Sequence, residues 1–278
     1  IYGQPGLRKT TLGLSAPAPL LLDFDGGIHR VDTRFHTDTL QLESWQDVLD
    51  VLANEDLTPY KTLVIDTAGK MLDYMGNYLI SKNSKLGKAN GALTLQGYGE
   101  RKAEFSNFLK RVSLMGKHLV FIAHEREEKD GEQKIVRPEI GGSSGADLIK
   151  ELDLVGYMQS IGQKKTISFE PCEKFYGKNT CSLPPTIELT NAIEENKPNN
   201  QLAVIFEAYQ KMLEERKAVA GDYSDLLNVI ISKVDAIEDA ATANEVSEWA
   251  SKYDAHIWDS KLQSALRINE KAKSIGLI

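Results

Sequence analysis

No run of apolar residues in this chain approaches the roughly 20 that a helix needs to span a bilayer, which excludes an ordinary transmembrane helix. No secretory signal segment is expected either. Cysteine is scarce: Cys172 and Cys181 fall in one segment, and neither a CxxC nor a Cys/His spacing is present, which argues against zinc. Two reduced thiols in a cytosolic protein are the expectation, with a disulfide across a hairpin as the alternative. An excess of positive charge is also missing: 33 Lys and Arg stand against 40 Asp and Glu, for a net charge of −7. Nucleic-acid binders usually carry a basic domain or stripe, so contact with DNA would have to come from local patches. The first residue, Ile1, is not Met and reads as part of a strand, which points to a short native N-terminus ahead of it.

What is present is an ordinary globular composition, 41% hydrophobic and 26% charged over 278 residues. That length suffices for one large domain, or for a core with a small appendage. Short apolar runs alternate with amphipathic stretches through residues 1–190, the pattern of a sheet flanked by helices. The predicted strands are PLLLDF (19–24), TLVIDT (62–67), HLVFIAH (118–124), LVGYMQSI (154–161) and KTISFEP (165–171). The central ones are nearly continuous apolar runs, as buried parallel strands should be. Helical spacing marks 44–54 and 98–116. A polar stretch, 191–201, reads as a linker, and 202–278 reads as a helical C-terminal domain in several segments, including LAVIFEAYQKMLEERKAV and YSDLLNVIISKVDAIEDAA.

The chemistry begins with IYGQPGLRKTTLGLS, residues 1–15. A phosphate-binding loop has the form G-x-x-x-x-G-K-[ST], between a strand and a helix. Gly3, Lys9 and Thr10 occupy their places, and Gln4, Pro5, Gly6, Leu7, Arg8 and Thr11 complete the candidate nucleotide-binding set. Backbone N–H groups would curl around phosphate, Lys9 would reach its terminal oxygens, and the Thr10 hydroxyl would meet Mg²⁺. Arg8 stands where the pattern has its last glycine, at a position that tends to need a conformation disfavoured by a Cβ. Either Arg8 adopts the turn with some strain, or the loop opens and nucleotide affinity falls. Asp66, at the end of TLVIDT, is the candidate second holder of Mg²⁺. Asp23 and Asp25 end an earlier strand, where a carboxylate would orient or deprotonate water, and His124 ends a third.

In order and spacing these motifs resemble the RecA-like P-loop ATPases, and among them the phage-encoded single-strand annealing and recombination ATPases; the likeness covers about residues 1–190. It implies a RecA-like core with a mostly parallel central sheet, ATP with Mg²⁺, and DNA-dependent hydrolysis. It also implies the cytoplasm of a phage-infected or prophage-carrying bacterium. LLLDFDGG resembles the strand that carries the catalytic glutamate, with Asp25 in its place and one methylene shorter. LVFIAH resembles the strand ending in a glutamine switch, with His124 at that position. FYGKNTCSLP resembles the strand from which lysines reach a neighbouring subunit's ATP, with Lys178 as the match. The polar segment after FIAH resembles the loop that contacts single-stranded DNA.

That loop supplies Arg126, Lys129, Lys134 and Arg137, but its balance is acidic and no aromatic residue interrupts it for base stacking. Lys164 and Lys165 in GQKK, with Lys174 and Lys178, form a second basic group. Head-to-tail packing of subunits would give a ring or a filament. The leading expectation is an ATP-binding recombination protein on single-stranded DNA. A second reading is a nucleotide-binding or catalytically dead scaffold whose helical tail recruits a replication or single-strand-binding protein.

Overall fold

The computed structural model describes residues 1–130, 133–141, 149–162, 164–190 and 197–278. Its elements begin with β1 (Tyr2–Gly3), α1 (Lys9–Gly13), β2 (Pro19–Asp23), β3 (Thr39–Gln41), α2 (Trp45–Asn54) and β4 (Thr62–Asp66). Next come α3 (Ala68–Lys82), α4 (Leu95–Leu114), β5 (His118–Asp130), β6 (Gln133–Pro138), β7 (Leu154–Val155) and β8 (Tyr157–Ile161). The chain closes with β9 (Lys164–Ser168), β10 (Lys178–Asn179), β11 (Thr186–Leu189), α5 (Gln201–Asp235), α6 (Ala240–Lys252) and α7 (Ser260–Ser274). The described residues divide into two compact units, Ile1–Ala208 and Tyr209–Ile278.

The first unit is an α/β fold on one mixed sheet, in the order β11-β9-β8-β1-β5-β4-β2-β3, with β6 paired to β5. The run from β8 to β3 is parallel; β9 and β11 add antiparallel strands at one edge. Every residue of β4 is buried, as are Leu20, Leu21 and Leu22 of β2, which is why both read as unbroken apolar runs. Helices α2, α3 and α4 start at Ser44, Thr67 and Thr94, whose side chains accept backbone N–H groups of their own first turns. The main core joins Trp45, Phe105, Phe108, Phe121 and Met71 to the sheet.

Several boundaries differ from the sequence reading. The strand ending in FIAH runs on to Asp130 and returns as β6, so the expected DNA-contacting loop begins as an antiparallel hairpin. Cross-strand pairing continues the ladder without regard to the loss of hydrophobicity after Ala123. Residues 131–132 and 142–148 of that expected loop, and 191–196 of the expected linker, lie outside the described residues. Helix α3 went unread, although Thr67 followed by Met71, Leu72, Met75 and Leu79 carries its signal. The first two tail segments are one helix, α5, which passes through Gly221; a glycine inside a helix costs about 1 kcal/mol but does not end it. The first turns of α5 belong to the first unit: Leu202 and Ile205 are buried, and the Ala203 N–H donates to the Ser15 carbonyl. In the second unit Leu226, Ile230, Val234 and Ile237 form a small core with Val246, Trp249 and Ile268 around it. No disulfide joins Cys172, which is exposed, to Cys181, which is buried.

The two-residue β1 lies between β8 and β5, and Gly3 makes that closeness achievable. A Cβ on Gly3 would lie 2.4 Å from the Met158 carbonyl oxygen. Gly3→Ala is therefore expected to destabilise the chain by about 1–3 kcal/mol, the usual cost of overpacking, read as a lower midpoint in urea denaturation. An unchanged midpoint would show that β1 and β8 separate freely.

Candidate nucleotide site

The parallel register lines up the carboxyl ends of the central strands. Gly3 pairs with His124, Asp66 with Ile122, and Asp23 with Asp66. With adjacent strands about 4.8 Å apart, β1, β5, β4 and β2 bring Gly3, His124, Asp66 and Asp23 to one edge.

The loop between β1 and α1 is exposed at Gln4, Pro5, Gly6 and Arg8, while Leu7 is buried and anchors it. Gly6 has φ 82°, and Arg8 has φ 66° and ψ 37°, the left-handed region. The backbone at the position of the missing glycine is thus left-handed, the strained turn rather than the opened loop. For a residue with a Cβ that conformation costs roughly 1–2 kcal/mol.

Lys9 is buried, and its Nζ donates to the Gly3 and Gln4 carbonyls at 2.9 and 2.8 Å. The ammonium is thereby held against the inside of the loop. Burial pushes the Lys9 amine below its usual range, and Asp66 and then Glu125 work against that. The Thr10 hydroxyl donates to Asp66 Oδ2 at 2.6 Å, joining the first turn of α1 to the end of β4. Burial pushes the Asp66 carboxyl above the usual Asp range; Thr10 opposes the shift, the charges of Asp23 and Asp25 reinforce it, and Lys9 opposes it. Thr11 is half-buried, and its carbonyl accepts from Asn199 Nδ2 at 2.8 Å.

The two aspartates at the end of β2, Asp23 in the strand and Asp25 beyond it, are not equivalent. Asp23 is buried and accepts three backbone N–H groups from the turn that follows, whereas Asp25 is half-buried. His124 is half-buried, its Nδ1 is enclosed without a hydrogen-bond partner among the described residues, and its carbonyl accepts the Glu139 N–H at 2.7 Å. The next residue, Glu125, was not singled out in the sequence. It is half-buried and hydrogen-bonds the Tyr157 phenol, which burial, followed by the Glu125 charge, pushes up to about 12. Only the fold brings Tyr157 to Glu125, so no local pattern would have revealed the pair.

The remaining sequence candidates lie elsewhere. Lys178 Nζ donates to the Lys150 and Ile149 carbonyls of its own chain, at 2.8 and 3.4 Å. In the hairpin Arg126 and Arg137 both pair with Glu128, and Lys134 pairs with Glu127. Lys129 is exposed opposite Lys134. Lys164 pairs with Glu188 at 2.9 Å, and Lys165 lies half-buried in β9. The hairpin's cations thus largely face carboxylates of the same hairpin. Arg137 also lies over the Tyr176 ring, 4.7 Å from its centroid.

The donor set fits a nucleotide with a hard cation. A buried lysine, a glycine-bounded loop opening a helix and a hydroxyl on a carboxylate are the parts that triphosphate binding uses. Among the described residues no group of three His, Cys, Asp or Glu could hold a metal. A cation at Thr10 and Asp66 would therefore draw its other ligands from phosphate and water, as Mg²⁺ does.

Fold and edge together define an α/β protein of the P-loop nucleoside triphosphatase class. Residues 1–181, well over half of the chain, match the family described as AAA domain, and the chain belongs to that family. It is an AAA-type ATPase domain, a nucleotide-binding module. No curated protein matches the chain. No helix among the described residues is long and apolar enough to cross a membrane.

Two outcomes follow. Arg8→Gly relieves a left-handed residue, so thermal unfolding should rise by the equivalent of up to ~1 kcal/mol, and ATP affinity should hold or tighten in a titration. A tenfold loss of affinity would instead mean that the guanidinium contacts phosphate. The raised Asp66 pKa has a definite sign: between the unfolded and folded values the native state holds more protons, so stability falls as pH rises through that window. Asp66→Asn should therefore stabilise the nucleotide-free chain at neutral pH, with the gain fading as pH drops below the ordinary Asp range; thermal melts across pH would show it. A loss of stability at neutral pH would contradict the burial argument.

Proposed function

We propose that this protein is an ATP-hydrolysing recombination protein of the phage type, acting with Mg²⁺ on single-stranded DNA to promote annealing or strand pairing. The observation that supports it best is the single edge on which Gly3, Lys9, Thr10, Asp66 and His124 meet.

In this reading Lys9 exchanges the Gly3 and Gln4 carbonyls for phosphate oxygens, so the loop stores its cation until substrate arrives. Thr10 and Asp66 would hold Mg²⁺, which would offset the negative charge of the phosphates. Asp25 orients the attacking water. His124 donates a ring N–H to the terminal phosphate, and because β5 continues unbroken into the hairpin, a shift at His124 is carried to Arg126, Lys129, Lys134 and Arg137. Lys178 would leave its carbonyl partners to reach a neighbouring subunit in a ring or filament, and Lys164 and Lys165 would track the DNA backbone.

One observation favours a second reading, a nucleotide-binding scaffold that recruits a replication or single-strand-binding protein. The hairpin cations are matched by hairpin carboxylates, which leaves little net charge for counterion release. In the helical unit Leu262 and Leu266 are exposed one turn apart on α7, and Trp258, in the turn ahead of that helix, is exposed as well.

The deciding measurement is ATP turnover with and without single-stranded DNA, on the wild type and on Lys9→Ala. DNA-stimulated turnover that falls at least about 100-fold in Lys9→Ala supports the recombination reading. Absence of both DNA binding and stimulation, in every nucleotide state, would discard it in favour of the scaffold.

A further inference from the structure

We propose that Asp23 is the positioning residue that sets Asp25 against the nucleotide site, an assignment that rests on reading this edge as a hydrolytic site. In the run LLLDFDGG two carboxylates lie two residues apart, which on a continuing strand would place them on one face. The strand stops at Asp23 instead, and the chain turns. Asp23 Oδ1 accepts the N–H groups of Asp25 and Gly27, both at 3.1 Å, and Oδ2 accepts that of Ile28 at 3.0 Å. A single buried carboxylate thus organises the whole turn, through bonds that its charge strengthens.

The turn is tied at its start as well. The Phe24 N–H donates to the Asp66 carbonyl at 2.7 Å, and the buried Phe24 ring lies against Tyr74. Gly26, at φ 64°, supplies the left-handed step that lets the next amides point back at Asp23. The division of labour is geometric: both Asp23 oxygens are committed to backbone, whereas Asp25 stands half-exposed beside them. Because Asp23 is the register partner of Asp66, the turn that its carboxylate holds starts on the strand beside the Thr10–Asp66 pair.

An asparagine at position 23 tests this with nearly the same shape. Its Oδ1 can still accept from Asp25 and Gly27, but its amide group meets the Ile28 N–H donor to donor. On full-length, nucleotide-free Asp23→Asn, hydrogen exchange should quicken at Ile28 and Gly27. In turnover assays kcat should drop by about 100-fold, the size of effect that a misplacement of roughly 1 Å produces, while the dissociation constant of a non-hydrolysable ATP analogue with Mg²⁺ stays within about threefold. Asp25→Asn should lower kcat and leave exchange at Gly27 and Ile28 unchanged. If Asp23→Asn folds poorly, Asp23→Glu keeps the charge, displaces the carboxylate by one methylene, and should show the same loss of kcat with binding retained. Wild-type kcat despite quickened exchange would overturn the proposal, as would unchanged exchange or an affinity loss as large as the loss of kcat. A wild type that does not hydrolyse ATP would defeat the functional reading, and the exchange data would then decide by themselves whether Asp23 holds the turn.

Discussion

The hydrogen bond from Thr10 to Asp66 ties the first turn of α1, the helix that follows β1, to the end of β4, a strand that is not β1's neighbour in the sheet, and the rest of the site is arranged around it. Strand β5 lies between β1 and β4, so the bond must bridge across the end of β5. His124, the register partner of Gly3, ends β5 on the same edge, and the pairing of β4 with β2 then delivers Asp23 and the Asp25 turn to the far side. A shift of register by one residue would send each of these side chains to the opposite face.

The cost of this arrangement is electrostatic. Lys9 and Asp66 are both buried, and burial drives each toward its neutral form. Their mutual attraction, the loop carbonyls on Lys9 and the Thr10 hydroxyl on Asp66 offset part of that cost. Asp23 and Asp25 add to it by placing further negative charge near Asp66. Such a site is strained as a folded element and is suited to a ligand bearing both a polyanion and a divalent cation. Arg8 adds a smaller strain of its own in the backbone.

The helical tail is a different kind of object. Its core is small, built on Leu226, Ile230, Val234 and Ile237, and its surface leaves Trp258, Leu262 and Leu266 in water. The helix α5 begins in the first unit, where the Ser15 side chain and carbonyl accept the N–H groups of Leu202 and Ala203. Ser15 follows closely after α1, so the short helix that opens the nucleotide site is braced by residues nearly 190 positions away.

Much of this was legible in the sequence because it rests on local chemistry. The apolar runs of β2 and β4, the glycine, lysine and threonine of the first loop, and Asp66 at a strand end need only chain-neighbour information. At Arg8 the motif left a strained turn and an opened loop as alternatives, and the structure selects the left-handed turn. The sequence alone therefore determined the α/β class, the P-loop and the helical character of the tail. Tertiary structure decided what depends on partners distant in the chain: the hairpin in place of a loop, with its cations matched to carboxylates, the different surroundings of Asp23 and Asp25, the meeting of Glu125 with Tyr157, and the carbonyl partners of Lys178. A charged residue looks the same in sequence whether it faces solvent, a carboxylate or a backbone amide, and only folding selects among these, because the selection is made by geometry and burial.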